Sequence, residues 1–168
     1  MAEFVPTPET TRELRDAFGQ FATGVTIVTA QTAEGPVGIT ANSFSSVSLT
    51  PPMVLWCPDK GSKRYAAFAE ASHYAIHVLA ADQNDLCWQV AKDGYCLSTM
   101  DLDENAYGVP LIEGCLARFE CRTAAIYDGG DHAIILGDVL RVNHRSDGAP
   151  LLFHGGTVRE ISSNPATA

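Results

Sequence analysis

Three stretches of the chain carry residue types suited to holding a ligand. The first is Gly38-Ile39-Thr40-Ala41-Asn42-Ser43-Phe44-Ser45-Ser46-Val47-Ser48-Leu49-Thr50-Pro51-Pro52, dense in small hydroxyl and amide residues between two apolar runs. Small side chains leave backbone N–H groups within reach, and hydroxyls both donate and accept, so this segment can grip a flat, hydrogen-bond-rich ligand. On the residues alone, a serine-rich turn that satisfies its own backbone is the favoured reading of this stretch. The second is Asp59-Lys60-Gly61-Ser62-Lys63-Arg64, where two cations open an expected helix. Backbone N–H groups and the helix dipole make that a phosphate seat, the alternative being a solvated basic helix start. The third is Asp128-Gly129-Gly130-Asp131-His132, a His beside a carboxylate at a hairpin tip. Such a His can hydrogen-bond a ligand, or can simply be exposed.

Conventional catalytic signatures are missing. No G-x-G-x-x-G, G-x-x-x-x-G-K-[ST], G-x-S-x-G or H-E-x-x-H occurs, so a Rossmann cofactor fold, a P-loop, a serine hydrolase and a zincin all lack a motif. The cysteines, Cys57, Cys87, Cys96, Cys115 and Cys121, are odd in number and form no C-x-x-C pair. Neither a disulfide framework nor a zinc site is expected. His73, His77, His144 and His154 share no ligand spacing, and no metal is expected.

The elements that must position these stretches are mostly strands. Thr10 to Ala22 places Leu14, Ala17, Phe18 and Phe21 at helical spacing, with Thr10 and Glu13 as a capping box and Gly24 as terminator. Val25 to Ala30 is a β-branched run too short for a helix. Ala33-Glu34-Gly35-Pro36 turns it into a second strand, Val37 to Thr40. Ser43 to Leu49 is a punctuated serine-rich connection, and Met53 to Cys57 a buried strand. Gly61-Ser62 offers an N-cap for a helix through Phe68 and Ala69. His73 to Ala80 is a strand, and Asp82 can cap a helix carrying Leu86, Trp88 and Val90. Periodicity is lost from Lys92 to Pro110, which reads as loop. Leu116 to Tyr127 and Ala133 to Asn143 are the arms of a hairpin, and Leu151-Leu152-Phe153 is the last short strand. Strands follow strands, six or seven against two or three short helices. The pattern favours a mainly β antiparallel barrel over a doubly wound sheet.

With 168 residues the chain is expected to be one domain, its core about 10–161 and its polar tail 162–168 frayed. Net charge is −9, with 11 Lys and Arg against 20 Asp and Glu and no basic cluster, so neither nucleic acid nor an anionic membrane is an expected partner. No apolar run is long enough to span a bilayer, and Met1-Ala2-Glu3-Phe4 lacks a signal peptide's basic and apolar regions. A cytoplasmic location with idle thiols is expected.

Taken together, Gly24-Val25-Thr26-Ile27-Val28-Thr29, the Gly38 to Pro52 run, Gly130-Asp131-His132 and Pro150-Leu151-Leu152-Phe153 resemble the flavin reductase domain family, over roughly Leu14 to Gly155. These are short-chain reductases that supply reduced flavin to two-component monooxygenases. Cys57-Pro58-Asp59-Lys60 and Asp128 to His132 look closest to the reductases of steroid- and phenol-hydroxylating systems. The resemblance implies a homodimeric Greek-key split β-barrel with a few short helices. It implies FMN or FAD reduced by NADH or NADPH, and a flavin-dependent monooxygenase as partner. By position it implies flavin contacts at Pro36, Val37, Gly38, Ile39, Thr40, Asn42, Ser43, Cys57, Pro58 and Asp59. Lys63 and Arg64 would approach the phosphate, and Gln89 and Val90 would complete the pocket. His132, Phe153, His154 and Gly155 would meet the nicotinamide nucleotide. Phe44, Trp56 and Trp88 would stand near the site.

The chain departs from the family between Ala91 and Pro110, where the usual Gly-x-x-x-Asp-Lys-Phe is absent. In such an enzyme the hydride passes from nicotinamide C4 to flavin N5, so the protein needs no acid or nucleophile of its own. N–H groups from Thr40 to Phe44 would face the negative charge developing on the flavin N1–C2=O edge. Two rival readings are a flavin-binding barrel without catalysis and a pyridoxamine-phosphate-oxidase-like or haem-handling barrel. The intact Gly130-Asp131-His132 corner weighs against the first, and the lack of further basic residues or an axial His against the second.

Overall fold

The computed structural model describes residues 3–160. The chain enters through a 3-10 turn, Pro8–Thr10, and helix α1, Thr11–Phe18. The capping box falls one turn upstream of its expected place. Thr7 N–H donates to Thr10 Oγ1 at 2.8 Å, because Pro8 can start a turn but cannot continue a strand. Strand β1 is Thr23–Gly24, β2 is Thr26–Thr32 and β3 is Gly35–Ala41. Strand β4 is Ser45–Leu49 and β5 is Pro52–Trp56. Helix α2 covers Tyr65–Glu70, β6 His73–Val78 and α3 Asn84–Lys92. Short strands β7, Asp103–Glu104, and β8, Pro110–Leu111, form a strap. The hairpin arms are β9, Ala117–Gly129, and β10, His132–His144. Strands β11, Leu151–His154, and β12, Thr157–Glu160, close the described chain. The fold is mainly β with few helices.

The serine-rich connection is a strand, not a turn. β4 pairs with β5 as the edge of a seven-stranded antiparallel sheet ordered β3-β2-β6-β9-β10-β5-β4. Its exposed serines hid the alternation that marks a half-buried strand. β12, which no sequence pattern marks, joins β11 and β1 in a second, three-stranded sheet. The loop expected from Lys92 to Pro110 contains a 3-10 segment, Gly94–Thr99, and the β7–β8 strap. The expected tail 162–168 lies outside the described residues.

The large sheet is rolled. Val37 and Ile39 of β3 share one core cluster with Val54 and Trp56 of β5, though these strands lie near opposite ends of the sheet order. Inside the roll, Trp56 meets Phe68 of α2 edge-on, with ring centroids 5.2 Å apart. Phe44 stacks on Phe119 at 5.4 Å. Truncating a fully buried aromatic such as Trp56 costs about 3–5 kcal/mol. Gly137 of β10 makes room for Tyr74, since a Cβ there would strike the tyrosine ring.

A second cluster lies outside the roll, where Ile27 packs with Leu79, Cys87 and Val90 of α3, Leu97, Ile112 and Leu151. β2 is therefore covered on both faces, and Thr26 to Ala30 are all buried. This explains its unbroken β-branched run, which an amphipathic strand would have interrupted. His77 belongs to this layer. Its Nδ1 lies 3.0 Å from the Ile27 carbonyl and its Nε2 accepts from Ile112 N–H at 3.1 Å. Burial lowers its pKa to about 4, so the ring is held neutral. No helix among the described residues is long and apolar enough to cross a membrane.

Candidate functional site

The sheet's two edges meet where β3 crosses to β4, and the ligand-suited residues cluster at that seam. Ser43 Oγ accepts from Cys57 N–H at 2.9 Å and donates to the Cys57 carbonyl at 3.2 Å. The next residues of that strand end bind the β9–β10 tip. Pro58 O accepts from Ala133 N–H at 3.0 Å, Lys60 N–H donates to Asp131 O at 2.9 Å, and Asp59 bridges His132. The Lys60 ammonium reaches the Gly130 carbonyl at 2.6 Å and the Asp128 carboxylate, which it holds below the usual carboxylate range. Gly130 turns with φ +81°, a conformation most side chains avoid. The outcome is a fixed hairpin tip with His132 Nδ1 2.8 Å from Asp131 Oδ1, an interaction that lowers the Asp131 pKa.

Two adjoining clefts open beside this seam. The narrower, of about 170 Å³, is largely apolar and is lined by Val25, Ala41, Trp88, Ala91, Phe153 and Val158, with Thr40 and Asn42 as its polar groups. The wider, of about 810 Å³, runs from Asn42, His132 and Phe153 to Gly155, Gly156, Thr23 and helix α1. Asn42 and Phe153 line both. Thr40 is fixed from behind, its hydroxyl donating to the Cys87 carbonyl at 2.9 Å. Thr23 lines the wider cleft, and its Oγ1 is buried with no hydrogen-bond partner among the described residues.

The structure thus brings together Thr40, Asn42, Ser43, Cys57, Pro58, Asp59, His132, Phe153 and Gly155. Other expected site residues stand elsewhere. Val37 and Ile39 point into the roll. Pro36, the second residue of β3, pairs with Gln31, away from both clefts. Gly38 faces outward but is roofed, since a Cβ there would lie 2.8 Å from Leu97 Cδ1 and 3.0 Å from Val90 Cγ1. Val90 is therefore core, and Gln89 is exposed on α3. His154 alternates to the far side of β11 from Phe153 and lines neither cleft.

Arg64 does not begin a helix facing a ligand. Its guanidinium donates to the carbonyls of Val90 at 2.7 Å, Gly38 at 3.2 Å and Ala91 at 3.2 Å. It ties the end of α3 to β3, where orphan helix carbonyls need donors. Helix α2 starts only at Tyr65, and Lys63 is exposed in a groove with Ser62, Lys92 and Tyr95. Of the three aromatics expected near the site, only Trp88, half exposed, lines a cleft; Trp56 and Phe44 pack inside the roll. Sequence reasoning missed the contribution of α1 and the turn after it, whose Arg15, Phe18 and Phe21 wall the wider cleft. The helix's apolar stripe is legible in the sequence, but that the stripe covers no core shows only in the structure, where no residue of α1 is buried.

No group of three or more metal-ligating side chains occurs among the described residues. All five thiols are free. Cys57, nearest the site, has its pKa raised by burial, which disfavours the reactive thiolate.

Residues 18–162 match the model of the flavin reductase like domain. The chain belongs to that family. It is 56% identical over 159 residues to the FMN reductase (NADH) SmoA of Agrobacterium fabrum, covering 95% of this chain and 91% of that one. It is 37% identical over 146 residues to HsaB, the reductase subunit of a flavin-dependent monooxygenase of Rhodococcus jostii, covering 86% and 75%. The NADH:FAD oxidoreductase SgcE6 of Streptomyces globisporus, solved in complex with NAD and FAD fragments, superposes with a TM-score of 0.88 at 37% identity. That match covers 98% of this chain and 99% of that one. The chain is accordingly an oxidoreductase, a flavin reductase working with a nicotinamide nucleotide.

Proposed function

We propose that the two adjoining clefts are the two cofactor seats of an NADH-dependent flavin reductase, and that they meet at Asn42 and Phe153. The sharing of these two residues carries the reading, because hydride transfer requires the reacting rings within roughly 3–3.5 Å of one another. When bound, the cofactors supply the chemistry, a hydride moving from the nicotinamide to the flavin.

The residues of this chain fit that pair. The narrower cleft offers apolar walls and a half-exposed indole, with Thr40 and Asn42 at its edge, which suits a flat heterocycle with polar rims. Thr40 is held by Cys87, and Ser43 fixes the Cys57–Asp59 strand end, so the flavin edge meets groups already in position. In the wider cleft His132 positions the nicotinamide nucleotide and does not act as a base. The orphan Thr23 hydroxyl has a hydrogen bond to give there. Arg64 is spent on three carbonyls, so the flavin phosphate falls to Lys63.

The same reading takes the rolled sheet as a Greek-key split barrel that pairs into a homodimer. Val47 and Leu49 on edge strand β4, and Leu140 and Val142 on β10, leave apolar side chains exposed in the single chain. It assigns the whole of 1–168 to one domain, working in the cytoplasm with its thiols reduced. Its partner is a flavin-dependent monooxygenase that takes up the free reduced flavin. HsaB, the reductase subunit of a flavin-dependent monooxygenase, supports the choice of partner.

Mixing the protein anaerobically with NADH and FMN or FAD should bleach the oxidised flavin band many times faster than the cofactors alone. No acceleration with either flavin would defeat the reading in favour of a non-catalytic flavin-binding barrel.

A further inference from the structure

We infer that Arg15 of α1 receives the anionic phosphates of the hydride donor and so selects a phosphate-bearing nicotinamide nucleotide. The inference rests on the reading of the wider cleft as the nicotinamide seat. That cleft is lined by His132, Asn42 and Phe153 at one end and by α1 at the other, and among the described residues Arg15 is its one lysine or arginine. Arg15 is exposed and its side chain makes no hydrogen bond or ion pair with the described residues, so its five guanidinium N–H donors are uncommitted.

Other cations near the seam are engaged. Lys60 is bound to Asp128 and Gly130, and Arg64 to three carbonyls. The requirement is sharpened by the chain's net charge of −9, which repels an anionic dinucleotide until a local cation offsets it. Asp16 brings a carboxylate to the same rim, so Arg15 acts as a point of attachment and not as part of a uniformly basic surface. A guanidinium suits the task because its planar fork can hold two phosphate oxygens at once.

The placement of α1 serves the same end. None of its residues is buried, yet Gly155 N–H donates to Gly19 O at 2.8 Å and ties the helix end to the β11–β12 turn. Gly155 and Gly156 both take positive φ, and a Cβ on either would meet nothing, so the cleft floor stays low there. Phe18 and Phe21, 69% and 77% exposed, present aromatic faces beside Arg15. A segment that offers one cleft both a cation and two aromatic rings suits a phosphate attached to a purine.

The test compares two hydride donors, NADH and N-benzyl-1,4-dihydronicotinamide, which carries the same reacting ring without phosphates. Arg15→Ala should raise the apparent KM for NADH about tenfold or more, the range for a charge-assisted hydrogen bond. kcat should change little, and flavin affinity should hold. The loss should be confined to the phosphate-bearing donor, and Arg15→Lys should recover part of it. An unchanged KM for NADH would overturn the proposal, and so would equal losses with both donors. If the unsubstituted protein reduces flavin with neither donor, it is the functional reading that has failed, and the comparison separates that outcome from the failure of Arg15 alone.

Discussion

Ser43 and Cys57 are joined by a pair of hydrogen bonds across the seam of the rolled sheet, the hydroxyl accepting one backbone N–H and donating to the carbonyl of the same residue. This one side chain ties the end of β3 to the end of β5, strands far apart in the sheet order. Removing it leaves a half-buried N–H and carbonyl without partners. Ser43→Ala should cost about 1–3 kcal/mol in denaturant unfolding. Flavin affinity should fall with it, because the Cys57–Lys60 segment that anchors the hairpin tip would lose its reference. A variant with unchanged stability and unchanged flavin titration would show the seam to be held elsewhere.

Lys63 and Arg64 are neighbours with different tasks. Arg64→Ala strips donors from three carbonyls and should destabilise the fold by about 1–3 kcal/mol, weakening FMN and riboflavin binding alike. Lys63→Ala should leave stability within about 0.5 kcal/mol, as for an exposed substitution. It should weaken FMN by about tenfold more than riboflavin, which has no phosphate. Equal effects of Lys63→Ala on the two flavins would remove it from the phosphate.

His77 makes stability depend on acid. Its folded pKa of about 4 lies below its ordinary value of 6.5, so the unfolded chain binds the extra proton first as pH falls. Its contribution is fully present above about pH 6.5 and is lost progressively down to about pH 4, by about 3 kcal/mol at most. His77→Gln, which cannot take up that proton, should flatten the pH dependence of unfolding over that window. A parallel loss in both proteins would assign acid sensitivity to other groups.

The hairpins β2–β3 and β9–β10 were readable because their β-branched or alternating runs are bounded by glycine and acidic turns, a local signal that tertiary packing did not need to override. β4 was not, because its inner residue Phe44 precedes the strand and Ser45, Ser46 and Ser48 look like loop. At the site, the resemblance located Asn42, Ser43, His132 and Phe153 at one seam. It could not reveal that Arg64 is consumed by carbonyls of α3, which depends on where that helix ends in space. Nor could spacing show that α1 walls a cleft, since its apolar stripe reads the same whether it covers a core or a ligand.

The exposed apolar side chains of β4 and β10 should be covered in solution. Light scattering is expected to give twice the monomer mass, with flavin affinity falling on dilution into the monomer. A monomer that keeps its flavin affinity would take the second copy out of the site.

His132 should govern the use of the hydride donor and not the hold on flavin. Its backbone is pinned by the Asp59 bridge and flanked by the Pro58–Ala133 and Lys60–Asp131 bonds, and its Nδ1 is engaged by Asp131. Removing the imidazole therefore leaves the tip where it is. The ring lines the wider cleft and is absent from the narrower one. His132→Ala should raise the apparent KM for NADH or slow flavin reduction, while flavin affinity stays within about twofold, under roughly 0.5 kcal/mol. Asp131→Asn preserves a hydrogen-bond acceptor for the ring but removes the charge, and should give a smaller loss of the same kind. Stopped-flow reduction over a range of NADH, run beside a flavin titration, separates the two affinities. Unchanged reduction with collapsed flavin affinity would put His132 on the flavin, and the two clefts would then have to exchange their occupants.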